Sequence, residues 1–129
     1  MATKDSEIEV IGSQARVAET PTRGVSRTKA FDSPGVLVSQ SQIDPNVVSD
    51  WHHHAKRTLY GYVVRGRLRF DFGPRGARSV EVSAGDHFRI PPGLVHRDVN
   101  LSHEVPAVVV AVLLGEGTPT VNTDGPSSE

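Results

Sequence analysis

The stretch SDWHHHAKRTLYGYVVRG, residues 49 to 66, holds three consecutive histidines. Neutral imidazole is a common ligand for divalent metals, so the first question is which of the three rings point the same way. Side chains alternate along an extended segment, which puts His52 and His54 on one face and Trp51 and His53 on the other. Two imidazoles one residue apart can grip one ion from one side. His-x-His alone is a weak signal, because a solvated turn produces it often. A register shifted by one residue would leave His53 as the sole inward histidine and dissolve the pair. A third imidazole lies far along the chain, at His96 in GDHFRIPPGLVHRDVN, residues 85 to 100. The chain has no cysteine, which leaves imidazole, carboxylate and water as ligands and excludes disulfides.

Residues Gly85, Pro91, Gly93, His96 and Asn100 resemble the second cupin motif, G-x5-P-x-G-x2-H-x3-N, at every fixed position. The first cupin motif, G-x5-H-x-H-x4-E-x6-G, is met by Asn46, His52, His54, Leu59 and Gly66. The two histidines and the last glycine agree, while Asn46 and Leu59 depart. Asparagine is the residue after glycine best suited to left-handed φ, so the first departure is mild. Leu59 stands where the motif has a metal-binding glutamate, and leucine binds no metal.

The resemblance implies a small single-domain cupin of the RmlC-like kind, an all-β antiparallel jelly roll or double-stranded β-helix. It implies one divalent metal per chain on His52, His54 and His96, with iron preferred over zinc, nickel or manganese. A neutral three-histidine set leaves the ion more of its charge than a set with a carboxylate. The implied activity is dioxygenase-like, on a small organic substrate such as a diketone, thiol or phenol bound as a chelating anion. Two alternatives stand beside it: a non-redox metal-dependent isomerase or lyase, and a non-catalytic ligand-binding or sensing cupin. The isomerase or lyase would want a base among the inward positions, and the sequence offers no obvious catalytic acid or base. Single-domain cupins usually pair, so a homodimer is also implied.

Strand alternation gives the expected pocket lining as Leu59, Gly61, Val63, Leu68, Phe70, Phe88 and Ile90, with Gly61 leaving room beside the ion. Gln40 and Gln42 share a face and could offer amides to a ligand. Arg27, Arg67 and Arg69 read as wet-face charges, with Arg27 able to reach the barrel mouth if the N-terminal segment folds across it. His87 and His103 read as solvent-side, and Asn100 as holding its turn through bonds to backbone.

Apolar residues recur at period two in runs at 35 to 43, 58 to 66, 67 to 73, 79 to 83, 86 to 92 and 106 to 115, split by Gly, Pro, Asn and Asp. Residues 24 to 32 could add an edge strand. In RLRFDF, Leu68, Phe70 and Phe72 make a dry face and Arg67, Arg69 and Asp71 a wet one. Gly66 is expected to close a tight hairpin between two strands, and Gly93 to make the sharp turn that presents His96. The expected division is an N-terminal extension over 1–22, a barrel over 23–116 and a tail over 117–129. With 129 residues, 36% of them hydrophobic, the chain suits one core. Its 14 basic and 15 acidic residues give a net charge of −1, so no field draws it to nucleic acid or to an anionic membrane. The N-terminus lacks a basic stretch followed by an apolar one, and no apolar run approaches the ~20 residues that cross a bilayer. A cytoplasmic protein with a small-molecule ligand is the expectation.

Overall fold

The period-two runs become strands in a computed structural model that describes residues 7–126. In chain order they are β1 (Val17–Ala18), β2 (Val25–Ser33), β3 (Val36–Ile43), β4 (His52–His53), β5 (Thr58–Arg65), β6 (Arg67–Phe72), β7 (Arg78–Ser83), β8 (His87–Ile90), β9 (His96–Val99), β10 (Ala107–Leu114) and β11 (Val121–Asn122). Among the described residues the helical content is one 3-10 turn, Pro74–Gly76, which reverses the chain from β6 into its antiparallel partner β7. No described helix is long and apolar enough to cross a membrane.

Two antiparallel sheets face each other. One has the order β1-β2-β3-β10-β5-β8 and the other β11-β4-β9-β6-β7. Their inner faces enclose a single core of Leu37, Ile43, Val63, Leu68, Val109 and Leu113 with their buried neighbours. The fold is the all-β antiparallel jelly roll expected from the motifs.

Several local expectations change in three dimensions. β5 and β6 do not form a hairpin: β5 pairs with β10 and β8, while β6 pairs with β7 and β9. Gly66 instead carries the chain from one sheet to the other. Its φ is +79°, and a Cβ there would lie 2.7 Å from the Pro106 carbonyl oxygen, so glycine is needed at a corner. Asn46 adopts φ 61°, the left-handed conformation its turn calls for. The segment at 24 to 32 is the full strand β2, bordered by the two-residue β1 and so not itself the edge. Asp71 is not on a wet face: it is 4% exposed and bonded by Arg69 and Arg97. Burial by itself would raise its carboxyl, and the two guanidinium partners outweigh that and hold it low.

The terminal segments are tied to the barrel. β1 pairs with β2, and β11 pairs with the histidine strand β4. Residues 1–6 and 127–129, at the ends of the expected extension and tail, lie outside the described residues.

Candidate metal centre

His52 and His54 come from β4 and the residue just after it, with His53 between them facing the other way. His52 is 1% exposed and His54 3%, while His53 and Trp51 are only half-buried. Extended alternation therefore holds through this short segment. β9 runs antiparallel beside β4 with His96 directly opposite His52, which brings their side chains together on the inner face. The ring centroids of His52 and His96 are 4.3 Å apart, and those of His54 lie 5.5 and 5.2 Å from them. One ring nitrogen from each histidine falls within 4.8 Å of the other two.

The tautomers are fixed by backbone. Nδ1 of His52 donates to the Asp50 carbonyl at 3.0 Å, Nδ1 of His54 to Pro119 at 2.9 Å, and Nδ1 of His96 to Leu94 at 2.8 Å. A carbonyl oxygen can only accept, so each Nδ1 carries the proton and each Nε2 keeps its lone pair. Burial lowers all three imidazoles, His54 to about 2 and His96 to about 4; the charge of the neighbouring site histidines adds to this for His54 and His96, and that of Arg27 for all three. Three unprotonated nitrogens facing one space fit a divalent cation. Ligands of one ion at ~2.1 Å stand at most ~4.2 Å apart. The separations here, all within 4.8 Å, exceed that by at most about half an ångström, within reach of ring rotation.

The remaining inward residues sort differently from the expected lining. Leu59, Leu68, Phe70, Phe88 and Ile90 border a cavity of about 30 Å³ beside His54 and His96. Gly61 leaves no room there, because the Phe88 ring occupies its place: a Cβ on Gly61 would collide with the tip of that ring. Val63 is fully buried in the core and does not border the cavity. Gln40 and Gln42 are on the outer face of β3, where Gln42 Nε2 donates to Asp44 Oδ1 at 3.3 Å; Ser41 borders the cavity instead.

Arg27 also borders the cavity, at 7% exposure, so it is not a wet-face charge. Its Nη1 donates to Thr22 Oγ1 at 2.8 Å and to the Thr20 carbonyl at 3.3 Å, both from the segment that crosses before β2. Arg67 is exposed, and Arg69 is half-buried against Asp71. His87 is exposed beside Tyr62, and exposed His103 bonds Asn46. Asn100 holds its loop by donating to the carbonyls of Ile43 and Val105 and accepting from Ser102 N.

Asp98 was missed as a site residue. It is 7% exposed and borders the same cavity. Its Oδ1 lies 3.8 Å from His52 Nε2 and 3.9 Å from His96 Nε2. Its place two residues after His96 on a strand was the available signal. A second, larger and mostly apolar space of about 260 Å³ reaches His96 between the β8 edge and β6–β7, lined by Phe70, Phe72, Val80, Phe88, Ile90 and Leu94 among others.

A family profile described as "Cupin domain" matches residues 40–113. No curated protein matches the chain significantly. Solved structures share the fold at low identity. The polyketide cyclase RemF from Streptomyces resistomycificus is 20% identical with a TM-score of 0.73, over 95% of this chain and 89% of that one. KdgF from Halomonas sp. is 20% identical with a TM-score of 0.64, over 85% and 96%. Oxalate decarboxylase OxdC from Bacillus subtilis is 21% identical with a TM-score of 0.65, over 77% of this chain and 28% of that longer one.

Proposed function

This chain belongs to the cupin domain family, and on that premise we propose that it is a mononuclear metal enzyme acting on a small organic anion. The observation that carries this reading is the convergence of three buried imidazoles whose Nε2 lone pairs share one space, with Arg27 on the same cavity. When bound, a divalent ion would supply Lewis-acid polarisation of a substrate oxygen, or, were it iron, access to dioxygen chemistry. His52, His54 and His96 would hold it. Arg27 offers a second positive charge for an anionic oxygen, held in a dry setting where such a charge counts for more than in water. The apolar space along Phe70, Phe72, Val80 and Leu94 suits the hydrophobic body of the substrate and leads to His96. The cavity beside the histidines is small, so the substrate's body would occupy the larger space while its charged end reaches inward.

Two reaction classes take such an anion. The non-redox class of isomerases, lyases and cyclases is favoured by Arg27, a buried positive charge on the cavity that a developing enolate needs and dioxygen does not. The likeness to RemF, itself a polyketide cyclase, agrees with that class. The dioxygenase reading is supported by the apolar lining and by a ligand set of imidazoles. The metal and the reaction are tested together: elemental analysis of protein purified without chelators, then turnover of β-diketones, phenols and thiols with and without oxygen. Turnover that persists without oxygen is expected; turnover that stops without it would transfer the assignment to the dioxygenase class. A metal-loaded protein inert toward the whole panel would leave a ligand-binding cupin.

A further inference from the structure

We propose that Asp98 is a fourth ligand of the metal, supplying from β9 the carboxylate that Leu59 withholds from β5. The inference rests on the reading of the histidine cluster as a metal site. Asp98 stands two residues beyond His96 on the same strand, so both side chains leave the same face. Its backbone is fixed from both sides: Asp98 N donates to Ser49 Oγ at 2.9 Å, and Ser49 N donates to the Asp98 carbonyl at 2.9 Å. These bonds fix the strand from which the carboxylate projects, and the residue is buried, at 7% exposure.

Asp98 Oδ1 is buried and has no hydrogen-bond partner. The nearest candidates are the Nε2 atoms of His52 and His96, at 3.8 and 3.9 Å, and both are acceptors because the protons of those rings are spent on backbone carbonyls. Two imidazole lone pairs and a carboxylate oxygen thus face one another without a proton to share. A buried acceptor left in that state costs stability, and a cation among the three removes the cost. The separations of 3.8 and 3.9 Å lie under the ~4.2 Å ceiling for two ligands of one ion. Leucine at position 59, 8% exposed and set opposite Ile90 on the next strand, leaves the carboxylate position on β5 apolar. The carboxylate has moved from one sheet to the other. A set of three histidines and one aspartate leaves the ion with a net charge of +1, so Arg27 carries a larger share of the attraction for an anionic substrate.

The test is cobalt(II) titration against a competing chelator, with the visible ligand-field bands recorded, for the wild-type chain and for Asp98→Asn, Asp98→Ala and Asp98→Glu. Melting of each metal-free variant checks that it folds, and Asp98→Asn, which keeps the side-chain shape, decides should Asp98→Ala not fold. Loss of cobalt affinity by about tenfold to a hundredfold or more is expected in the Asn and Ala variants, with altered ligand-field bands, and partial recovery in the Glu variant. Affinity and bands equal to wild type would overturn the proposal. So would reduced affinity with unchanged bands, which would make Asp98 a group that orients a ligand without binding the ion. A wild-type chain that takes up no cobalt would overturn the metal reading itself.

Discussion

His53 and His96 show how adjacent or equivalent residue types part company. Nδ1 of His53 accepts a bond from Ala55 N at 3.0 Å, in a turn where Ala55 has φ 52°, so this ring serves the backbone. His96 offers its Nε2 to the shared space. His96→Ala is expected to abolish retention of zinc or cobalt and leave the fold intact, while His53→Ala retains the ion; elemental analysis after gel filtration reads both. Added zinc at about a hundred times its dissociation constant should stabilise the wild type by ~2.7 kcal/mol and the His96→Ala chain hardly at all. The same rings set an acid limit on the metal-free protein. Burial lowers His54 to about 2 and His96 to about 4, whereas in the unfolded chain each takes a proton near ~6.5. Below ~6.5 the unfolded state then binds more protons than the folded one, so the stability present above that pH drains as pH falls toward the folded values. Urea midpoints of chelator-treated protein should drop between about pH 7 and about pH 5, with a shallower drop in His54→Gln. A flat profile would contradict the assignment of these rings as neutral and buried.

At the scale of strands, Gly61 and Phe88 are joined across the β5–β8 pair, where Gly61 lies directly opposite Phe88 and the ring folds back over the bare backbone. A methyl group at Gly61 must displace that ring, which sits between the small cavity at the histidines and the larger apolar space beside it. Gly61→Ala is expected to cost ~1–3 kcal/mol by denaturant melting, with much of it recovered in Gly61→Ala/Phe88→Leu. No recovery in the double variant would mean that the strain lies elsewhere. Long strands were legible in the sequence, β6 because alternation repeats within RLRFDF and β10 because AVVVAVLL is an unbroken apolar run between turn residues. The two-residue strands β4 and β11 were not, since two residues carry no period. In β3 the faces Leu37, Ser39, Ser41, Ile43 and Val36, Val38, Gln40, Gln42 are each part apolar and part polar, so alternation alone does not choose the inward face, and the two glutamines lie on the outer one. Alternation also says nothing about partners, which is why Gly66 read as a hairpin. The histidines were found because motif spacing fixes them; Asp98 matched no motif position, although the rule that paired His52 with His54 also pairs it with His96.

The whole molecule presents an unusual outer face on its larger sheet. β10 reads AVVVAVLL and lies inside that sheet with its alternate residues outward, so Val108, Val110, Val112 and Leu114 are on the side away from the core. Tyr62 stands opposite Val110 and Tyr60 opposite Val112 on one flank, and Val38 opposite Val112 and Val36 opposite Leu114 on the other. A strand apolar on both faces is the mark of a sheet covered on both sides, and the outward apolar patch around Val112, bordered by Gln40 and Gln42, signals a partner. Tyr60 and Tyr62, 47% and 40% exposed, are amphipathic residues of the kind enriched where proteins meet. Trp51, the other outward aromatic, is already engaged: the Arg97 guanidinium lies 4.5 Å from its ring centroid and Gly76 and Gly125 close on it, so it adds little to such a surface. The occupant we favour is a second copy of the chain, since one self-complementary patch closes a two-fold dimer and leaves no apolar strip for further growth. Sedimentation equilibrium should give a dimer for the wild type. Tyr62→Glu, which sets two carboxylates against each other near such an axis while facing away from the histidines, should give a monomer with unchanged metal content. A monomeric wild type, or a Tyr62→Glu chain that stays dimeric, would mean that this sheet face is not where the copies meet.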